Sequence, residues 1–399
     1  MLAQVVKAHR VNRASWLLVL ILALGGGLRL AFIGVEELNG IERSEFIPSA
    51  MSITWDHMPL RMSQHGALPA YVIRASGAIF GNTPVGWRVA GVIAGTATIL
   101  VLFLIGRAAW SPAAGLIAAG LLAIDRYHLN LSDRATDLPF DLLFVACAMW
   151  AFTIYLKRLD DRGWKRARWL CLAALFTGLG FLCKELTALL AVAFGASLLV
   201  LRKVASVRAR DVVLALLTGA LVIAPDVYAN LTTDAAGRAA LARHHHDAEE
   251  RLGTRANSYV DQGLYMSYGD QLSRFHGIGL NLEPFYFYFG DLFDAAGIRH
   301  TNSFSEAPYE HPAASLVLWF GVIASAFRRP RDRVTVFLLT TFVVMFVPFA
   351  LVQLGTPRGN FQTDPIVLWY WVDRTALPAM LLCGSVLAGW LRRDKLPAL

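Results

Sequence analysis

The stretch Gly40-Ile41-Glu42-Arg43-Ser44-Glu45-Phe46 organises the chain, because it places three charged side chains directly after the first long apolar segment, residues 16–33. If a helix begins near Ser44, neighbours three and four positions apart share a face, so Glu42, Glu45 and Phe46 come together and Arg43 points elsewhere. A polar helix start, whose acids complement the helix dipole, would explain these residues. So would a buried carboxylate that accepts a proton, and the stretch alone leaves both interpretations open.

Composition indicates that the rest of the chain is a polytopic membrane protein. Of the 399 residues, 56% are hydrophobic, and they cluster in runs of about 18–20 residues, which suffice for a helix to cross a bilayer. The net charge of +8 does not indicate nucleic-acid binding, because the basic residues form short clusters beside the ends of the apolar runs, as cytoplasmic anchors do. The four cysteines show neither metal-ligand spacing nor a disulfide framework.

The apolar runs predict about ten transmembrane helices with both chain ends inside. The expected spans are residues 15–33, 84–106, 111–125, 137–156, 169–183, 186–201, 211–228, 313–327, 334–354 and 373–391. We therefore expect an all-α fold with an outer segment at 34–83, after helix 1, and a larger outer loop after helix 7. The expected division is a transmembrane module at 1–230, an outer loop region at 231–312 and C-terminal transmembrane helices at 313–399.

The ionisable residues at the predicted outer ends of the spans differ from the inner ones, because they have mixed sign and come from five different spans. They are Glu42, Glu45, His65, Arg88, Asp133, Arg134, Asp137, Lys184, Glu185, Asp373 and Arg374. Ionisable groups at membrane depth are costly and usually face a cavity or a partner. Their convergence predicts one outward-facing site.

Several of these residues also have a purely structural explanation. Asp137, two residues before Pro139, is typical of a helix start, but it could also hold Arg134 or orient a substrate. Lys184 could bind a lipid phosphate as a point charge or, with its neighbour Glu185, form a hydrated hairpin tip. His65 precedes a glycine and lies near a proline, as in a turn, although it could also contact a phosphate or an acceptor.

Two further motifs favour structural roles. The run His244-His245-His246-Asp247 superficially resembles a metal site, but adjacent histidines on a helix point in different directions and charged neighbours indicate a solvated face. The aromatic run 285–289 suits a membrane-interface belt and could also line a groove for a polyprenyl chain or sugar. No glycine-rich phosphate loop or matched pair of broken helices is present, so neither ATP use nor a repeat-built transporter is expected.

In their order along the chain, these motifs resemble the integral-membrane glycosyltransferases of the GT-C superfamily, in the branch of protein O-mannosyltransferases and aminoarabinose transferases. The resemblance is carried by Arg29 late in the first span, residues 42–46, His65 to Pro69, Phe80-Gly81, Arg88, Ser132 to Asp137, Gly178 to Lys184, and Arg374 to Pro378. It covers residues 15–200 well and the remainder weakly. One departure is Glu42-Arg43, where the family has Asp-Glu, so Glu45 would have to supply the second acid.

The resemblance implies a metal-independent, inverting transfer of a hexose or pentose from a polyprenyl-phosphate-sugar donor to a lipid, glycan or protein acceptor. It needs no cofactor, and it would occur at the outer face of the inner (plasma) membrane of a cell envelope. The implied catalytic residues are Glu42, Glu45 and Asp137. The implied substrate-binding residues are Arg43, His65, Arg88, Arg134, Lys184 and Arg374.

Two alternatives remain from the sequence. One is a non-catalytic lipid or glycolipid transporter, which should carry its charges near the middle of its spans, whereas this chain keeps them near one surface. The other is a degenerate family member that binds the donor without transferring the sugar, an idea motivated by Arg43 in the acidic motif.

Overall fold

The computed structural model describes residues 2–35, 37–38, 42–56, 58–62, 66–161, 163–203, 206–233, 235–252, 275–278, 288, 312–327, 332–354 and 373–393. In this part of the chain the α-helices are α1 (Leu2–Phe32), α2 (Ile47–Ser52), α3 (Leu68–Phe80), α4 (Pro84–Ala109), α5 (Pro112–Ile124), α6 (Arg126–Ser132), α7 (Leu138–Lys157), α8 (Trp164–Phe181), α9 (Leu189–Val200), α10 (Ala209–Thr232), α11 (Ala235–Leu252), α12 (Pro312–Phe327), α13 (Arg333–Leu351) and α14 (Ala376–Arg393). The fold is that of an all-α polytopic membrane protein.

Each of the ten predicted spans overlaps one of these helices. Four described helices are long and apolar enough to cross a membrane by length and composition, and they lie at Arg13–Phe32, Pro84–Ala109, Leu138–Lys157 and Ala209–Thr232. The remaining apolar helices are shorter. Three helices were not predicted: α3 within the first outer segment, α6 between the third and fourth spans, and α11 within the predicted outer loop.

The described residues also form a small strand pair, which the sequence analysis did not anticipate. Strand β1 (Phe275–Ile278) pairs antiparallel with β2 (Val352–Leu354), and Phe275 lies opposite Leu354. The prediction that the ninth span reaches residue 354 is therefore wrong at its end, because the helix stops at Leu351 and the next three residues are extended.

Local sequence fixes where the helices begin. Thr83 accepts a hydrogen bond from the Gly86 amide at 3.1 Å, and Ser111 accepts one from the Ala114 amide at 3.2 Å. Each cap is followed by a proline at the first helical position, where the missing N–H costs nothing. These two signals define the starts of α4 and α5.

Helix α4 lies at the centre of the bundle and contacts α1, α3, α5 and α7. A Cβ atom added to Gly106 of α4 would lie 2.6 Å from the Cα of Gly115 in α5. The two backbones therefore touch. In a membrane the hydrophobic effect does not drive helices together, so helices associate through close van der Waals packing at small residues such as these glycines. Helix α8 packs between α7 and α10, and α14 contacts α5, α12 and α13.

The bundle has two ends that carry different polar groups. At one end α1 and α8 finish and α4, α7 and α14 begin; we call it the Glu42 end. At the other end α4 and α7 finish and α8, α10 and α13 begin; we call it the Lys157 end. The Glu42 end contains several of the described residues that the sequence analysis assigned to the site, among them Glu42, Arg88, Asp137, Lys184 and Arg374.

Candidate functional site

Residues Glu42–Phe46 form a single turn of π-helix that leads into α2. Glu42, Glu45 and Phe46 are buried, whereas Arg43 is exposed and pairs with Glu37 at 2.8 Å. The predicted separation of Arg43 from the two acids is thus present. Single π-helical turns interrupt helices often at functional sites, and here the turn aims both carboxylates into the protein.

The Glu42 carboxylate forms a bidentate ion pair with Arg88, which lies in the second turn of α4. Arg88 donates from Nε to Glu42 Oε1 at 2.8 Å and from Nη2 to Oε2 at 2.7 Å. The Ala135 amide donates to Oε1 at 2.8 Å. Arg88 also donates to the carbonyl oxygens of Ile33 and Glu37, each at 3.0 Å. This bidentate pair fixes the carboxylate in orientation as well as in charge.

Asp137 and Lys184 form a second pair, with Lys184 Nζ 3.1 Å from Asp137 Oδ2. The Asp137 side chain does not cap α7, and only 13% of the Lys184 side chain is exposed. Neither the capping role of Asp137 nor the hydrated tip at Lys184 therefore describes the structure. Burial opposes the ammonium charge, but the nearby carboxylates of Asp137 and Asp141 outweigh it and raise the pKa of Lys184.

The sequence analysis missed the partner of Arg374. Arg374 Nη2 donates to Asp141 Oδ2, and Asp141 Oδ1 accepts a hydrogen bond from the Thr187 hydroxyl. Arg374 and Asp141 are almost fully buried. A usable signal existed, because Asp141 is an acid within an apolar span and such acids usually have a partner.

A third group joins Arg61 to two acids, and the sequence analysis did not identify Arg61 or Asp226. The Arg61 guanidinium lies 3.1 and 3.0 Å from the two Asp226 oxygens and 2.9 Å from Glu185 Oε1. Arg61 thereby connects the segment before α3 with α10 and with the residue next to Lys184. A Cβ on Gly66 would lie 2.3 Å from the Leu182 carbonyl oxygen, so only glycine lets this segment approach the end of α8.

The other predicted site residues are less closely defined. Arg134 is half-buried in the turn between α6 and α7, one position before the Ala135 amide that contacts Glu42. His65 lies outside the described residues. The structure thus brings together Glu42, Arg88, Asp137, Lys184 and Arg374 at one end of the bundle, with Glu45 buried one turn from Glu42. It does not bring Arg43 into this group.

The two motifs given structural explanations also have defined surroundings. His244 and His246 are exposed on α11, and His246 lies 3.8 Å from Glu250 one turn later. Within the described ranges, no three His, Cys, Asp or Glu side chains come together in a group that could hold a metal ion. Of the aromatic run, the described residue is Tyr288, which is buried, bonds the Thr375 hydroxyl and packs on Trp319.

Comparisons with known proteins agree with this architecture. The sequence family described as dolichyl-phosphate-mannose-protein mannosyltransferase matches residues 64–228. That range contains Arg88, Asp137, Asp141, Lys184 and Asp226. A comparison with curated proteins found no match.

Two solved structures share the fold. ArnT from Cupriavidus metallidurans, bound to undecaprenyl phosphate, aligns with a TM-score of 0.60 and 16% identity over 93% of this chain and 60% of that chain. The oligosaccharyltransferase AglB from Archaeoglobus fulgidus, in complex with an inhibitory peptide and a dolichol-phosphate, aligns with a TM-score of 0.55 and 16% identity over 98% of this chain and 52% of that chain. The chain thus spans between half and two thirds of the length of these proteins.

The family match runs through α4, α7 and the α8–α9 connection, which together supply most of the buried ion pairs, and the bundle as a whole has the fold of these two enzymes. The chain is thus similar over residues 64–228 to the family described as dolichyl-phosphate-mannose-protein mannosyltransferase, and it shares its fold with ArnT and AglB.

Proposed function

We propose that the protein transfers a hexose or pentose from a polyprenyl-phosphate-sugar donor to a lipid, glycan or protein acceptor. The observation that carries the proposal is the buried, oriented carboxylate of Glu42 at the same end of the bundle as the cations Lys184 and Arg374. Transfer from a phosphate needs a base for the acceptor and positive charge for the departing phosphate. The lipid phosphates in the ArnT and AglB structures support this choice of donor.

The cations would bind the donor phosphate. Lys184 and Arg374 each face a carboxylate, Asp137 and Asp141 respectively. Ammonium and guanidinium groups carry several N–H donors, so one side chain can bridge a protein carboxylate and a phosphate oxygen. Asp137 and Asp141 would then orient the two cations and hold them in the protein before the donor arrives. Positive charge fixed in advance costs no reorganisation during the reaction.

In the proposed reaction Glu42 takes the proton from the acceptor hydroxyl or amine. The acceptor atom forms a bond to the anomeric carbon from the face opposite the phosphate, and the bond from that carbon to the phosphate oxygen breaks, which inverts the configuration. The electron pair stays on the lipid phosphate, whose charge Lys184, Arg374 and Arg134 would neutralise. Arg88 holds the Glu42 carboxylate in orientation until the proton moves.

The positions of the charges support an orientation in the membrane. The Lys157 end carries Lys157, Arg158, Lys165 and Arg168, a concentration of basic residues beside span ends that is typical of the cytoplasmic side. The Glu42 end would then face outward, which in a bacterium is the periplasmic side of the inner (plasma) membrane. The polyprenyl chain would lie among the helices and surrounding lipids, with its phosphate at the outer surface.

The test uses purified protein with a panel of radiolabelled polyprenyl-phosphate sugars, with and without a chelator. Wild type is compared with Glu42→Gln, Glu45→Gln and Asp137→Asn. If Glu42 is the base, Glu42→Gln lowers turnover by about 10²–10⁴-fold while donor binding persists, and the chelator has no effect. If Glu45→Gln loses turnover while Glu42→Gln retains it, the base is Glu45, one helical turn after Glu42.

A second candidate follows from the same contacts. Glu42 is engaged by both Arg88 and the Ala135 amide, and Arg43 stands in the acidic motif. These features would suit a protein that binds the donor without transferring its sugar. Donor binding without turnover of any sugar by wild type would favour this candidate, and the absence of both binding and turnover would favour a transporter.

A further inference from the structure

Arg29, late in the apolar helix α1, is fully buried and faces a cluster at the junction of α5 and α6. Its Nη1 donates to the Gly25 carbonyl oxygen at 2.7 Å, and its Nη2 lies 2.6 Å from His128 Nδ1. Weaker contacts of 3.4 Å reach the carbonyl oxygens of Leu122 and Ala123. A guanidinium group has donors and no acceptor, so His128 Nδ1 accepts and its ring proton lies on Nε2.

His128 is buried at 3% exposure and is held from two sides. Its backbone amide donates to Asp125 Oδ1 at 2.7 Å, while its ring receives the Arg29 bond. Burial, followed by the charge of Arg29, lowers the pKa of His128 well below its ordinary value of 6.5. The imidazole is therefore neutral and serves Arg29 as a hydrogen-bond acceptor.

Ser132 continues the cluster into the turn before α7. Its hydroxyl donates to the His128 carbonyl oxygen at 2.5 Å and lies 3.3 Å from His128 Nδ1. The turn at residues 132–135 packs against two glycines of α4, Gly91 and Gly95. A Cβ on Gly95 would lie 2.2 Å from Ser132 Oγ, and one on Gly91 would lie 2.8 Å from the Arg134 carbonyl oxygen. No side chain fits between the turn and the helix at these two points.

The same turn presents the Ala135 amide to Glu42 Oε1 at 2.8 Å. Helix α4 thus acts on Glu42 twice, directly through Arg88 and indirectly by seating the turn on Gly91 and Gly95. Hydrogen bonds run from Arg29 through His128 to Ser132, and the backbone of the turn continues from Ser132 to Ala135, whose amide bonds the carboxylate. Each contact is buried, so none exchanges freely with water.

We propose that Arg29, His128 and Ser132 are positioning residues that hold the turn at 132–135 so that the Ala135 amide orients the Glu42 carboxylate. The inference rests on the proposed function of Glu42. In this proposal none of the three contacts the acceptor or the donor. Their effect on the reaction would come through the direction of one carboxylate, and displacements of about 1 Å in such a group can lower the rate about 100-fold.

The experiment compares His128→Leu, which removes the acceptor for Arg29, with His128→Asn, whose amide oxygen replaces Nδ1. Full-length protein in lipid nanodiscs is measured in two ways, as kcat and KM for the donor and as amide hydrogen exchange of the peptide containing Ala135. His128→Leu is expected to lower kcat about 10- to 100-fold with little change in KM and to accelerate Ala135 exchange. His128→Asn should restore most of the wild-type kcat and most of the wild-type protection of the Ala135 amide from exchange.

Two further variants keep the outcome decisive. Thr98→Val removes a buried hydroxyl bond within α4, to the Ala94 carbonyl oxygen at 2.9 Å, and it should change neither readout. If His128→Leu does not fold, Ser132→Ala gives the answer, with an expected loss in kcat of about fivefold, equivalent to one hydrogen bond. Unchanged kcat and unchanged Ala135 exchange in the variant that folds would overturn the proposal.

The exchange measurement separates this proposal from the proposed function. If wild type transfers no sugar but His128→Leu or Ser132→Ala accelerates Ala135 exchange, the positioning cluster stands and the enzymatic function fails. If wild type transfers sugar and the two variants alter neither kcat nor exchange, the enzyme stands and the cluster has no positioning role.

Discussion

The two ends of the bundle use charged residues in different ways. At the Glu42 end, buried carboxylates meet buried cations from different elements, as in Glu42–Arg88, Asp141–Arg374 and Asp226–Arg61. At the Lys157 end, cations mostly close helix ends or lie at the surface. Lys157 donates to the Ala108 and Ala109 carbonyl oxygens at the end of α4, and Arg158 faces Asp161 at 3.9 Å with both side chains more than 40% exposed.

The difference shows that position beside an apolar span does not by itself define the role of a charge. A cation that binds terminal carbonyl oxygens satisfies groups that every helix leaves unpaired. Burying an ion pair removes both charges from water, and the attraction between them offsets this desolvation free energy only when their geometry is good. A buried ion pair is therefore weak evidence for a contribution to stability. Several such pairs at one end are better explained by a binding or catalytic requirement. Among the described residues, the pair Arg166–Asp211 is a buried exception at the Lys157 end.

The largest expected effect comes from breaking one buried pair. Arg374→Met should lower the free energy of unfolding by about 3–5 kcal/mol, because it leaves Asp141 buried without its cation. The double variant Asp141→Leu/Arg374→Met should recover much of that loss, since no charge remains buried alone. Thermal and denaturant unfolding in nanodiscs measure both values.

The exception at the opposite end is the matched control for this experiment. Arg166→Met should destabilise the protein to a similar extent, because Arg166 Nε donates to Asp211 Oδ2 at 2.8 Å in a buried site. Its binding of undecaprenyl phosphate should nevertheless remain as in wild type, whereas Arg374→Met weakens it. Equal losses of binding in the two variants would contradict the functional distinction between the ends.

A smaller effect is expected for Arg61→Lys. Lysine keeps the charge but lacks the planar fork that bridges Asp226 and Glu185, so stability should fall by about 1.5–3 kcal/mol, the range for hydrogen bonds to charged groups. Arg158→Lys at the Lys157 end provides the control, since that pair is exposed and long. Unfolding curves that shift equally for the two variants would argue against Arg61 as a buried connection.

Lys184→Met and Lys157→Met compare one lysine from each end. Removing the Lys184 ammonium should weaken undecaprenyl-phosphate binding about tenfold, or ~1.4 kcal/mol, because a charge near the phosphate is lost. Lys157→Met removes a cation that caps α4 and should leave that binding unchanged. Titration with the lipid in nanodiscs gives both dissociation constants, and equal weakening would mean that the lysines act only through overall charge.

The smallest effect is expected for the exposed pair of Arg333 and Asp160. The two side chains lie 3.5 Å apart, and 85% of the Asp160 side chain is exposed. Asp160→Ala should change the free energy of unfolding by less than about 1 kcal/mol, because exposed pairs are screened and conformationally costly. A larger loss in the unfolding measurement would show that the Lys157 end also depends on its ion pairs.

Much of the site was accessible from the sequence. The apolar runs located a helix at each of the ten predicted spans, and the spacing in residues 42–46 correctly separated Glu42 and Glu45 from Arg43. The convergence of charged residues at one end was also predictable, as seen for Arg88, Lys184 and Arg374. The inward direction of the Lys184 side chain could not be predicted, because the sequence of a two-residue hairpin tip does not show whether water or protein surrounds it.

The pairings were beyond sequence reasoning. Arg61 and Asp226 are 165 positions apart, and no local pattern links a residue in a polar segment to an acid inside an apolar helix. The interpretation of Asp137 as a helix cap failed for the same reason, since a cap and an ion pair begin with the same residue type. His128 gave no signal at all, because its role depends on Arg29 from a different helix.

The sequence by itself determined that the chain crosses a membrane repeatedly and that its charged residues gather at the ends of the spans. Both follow from the cost of placing charge and unpaired backbone in hydrocarbon, which acts on each segment independently of the others. Only the tertiary structure decided which carboxylate faces which cation. That choice depends on close backbone approaches such as Gly91 to Arg134 and Gly66 to Leu182, and these exist only after the helices have packed.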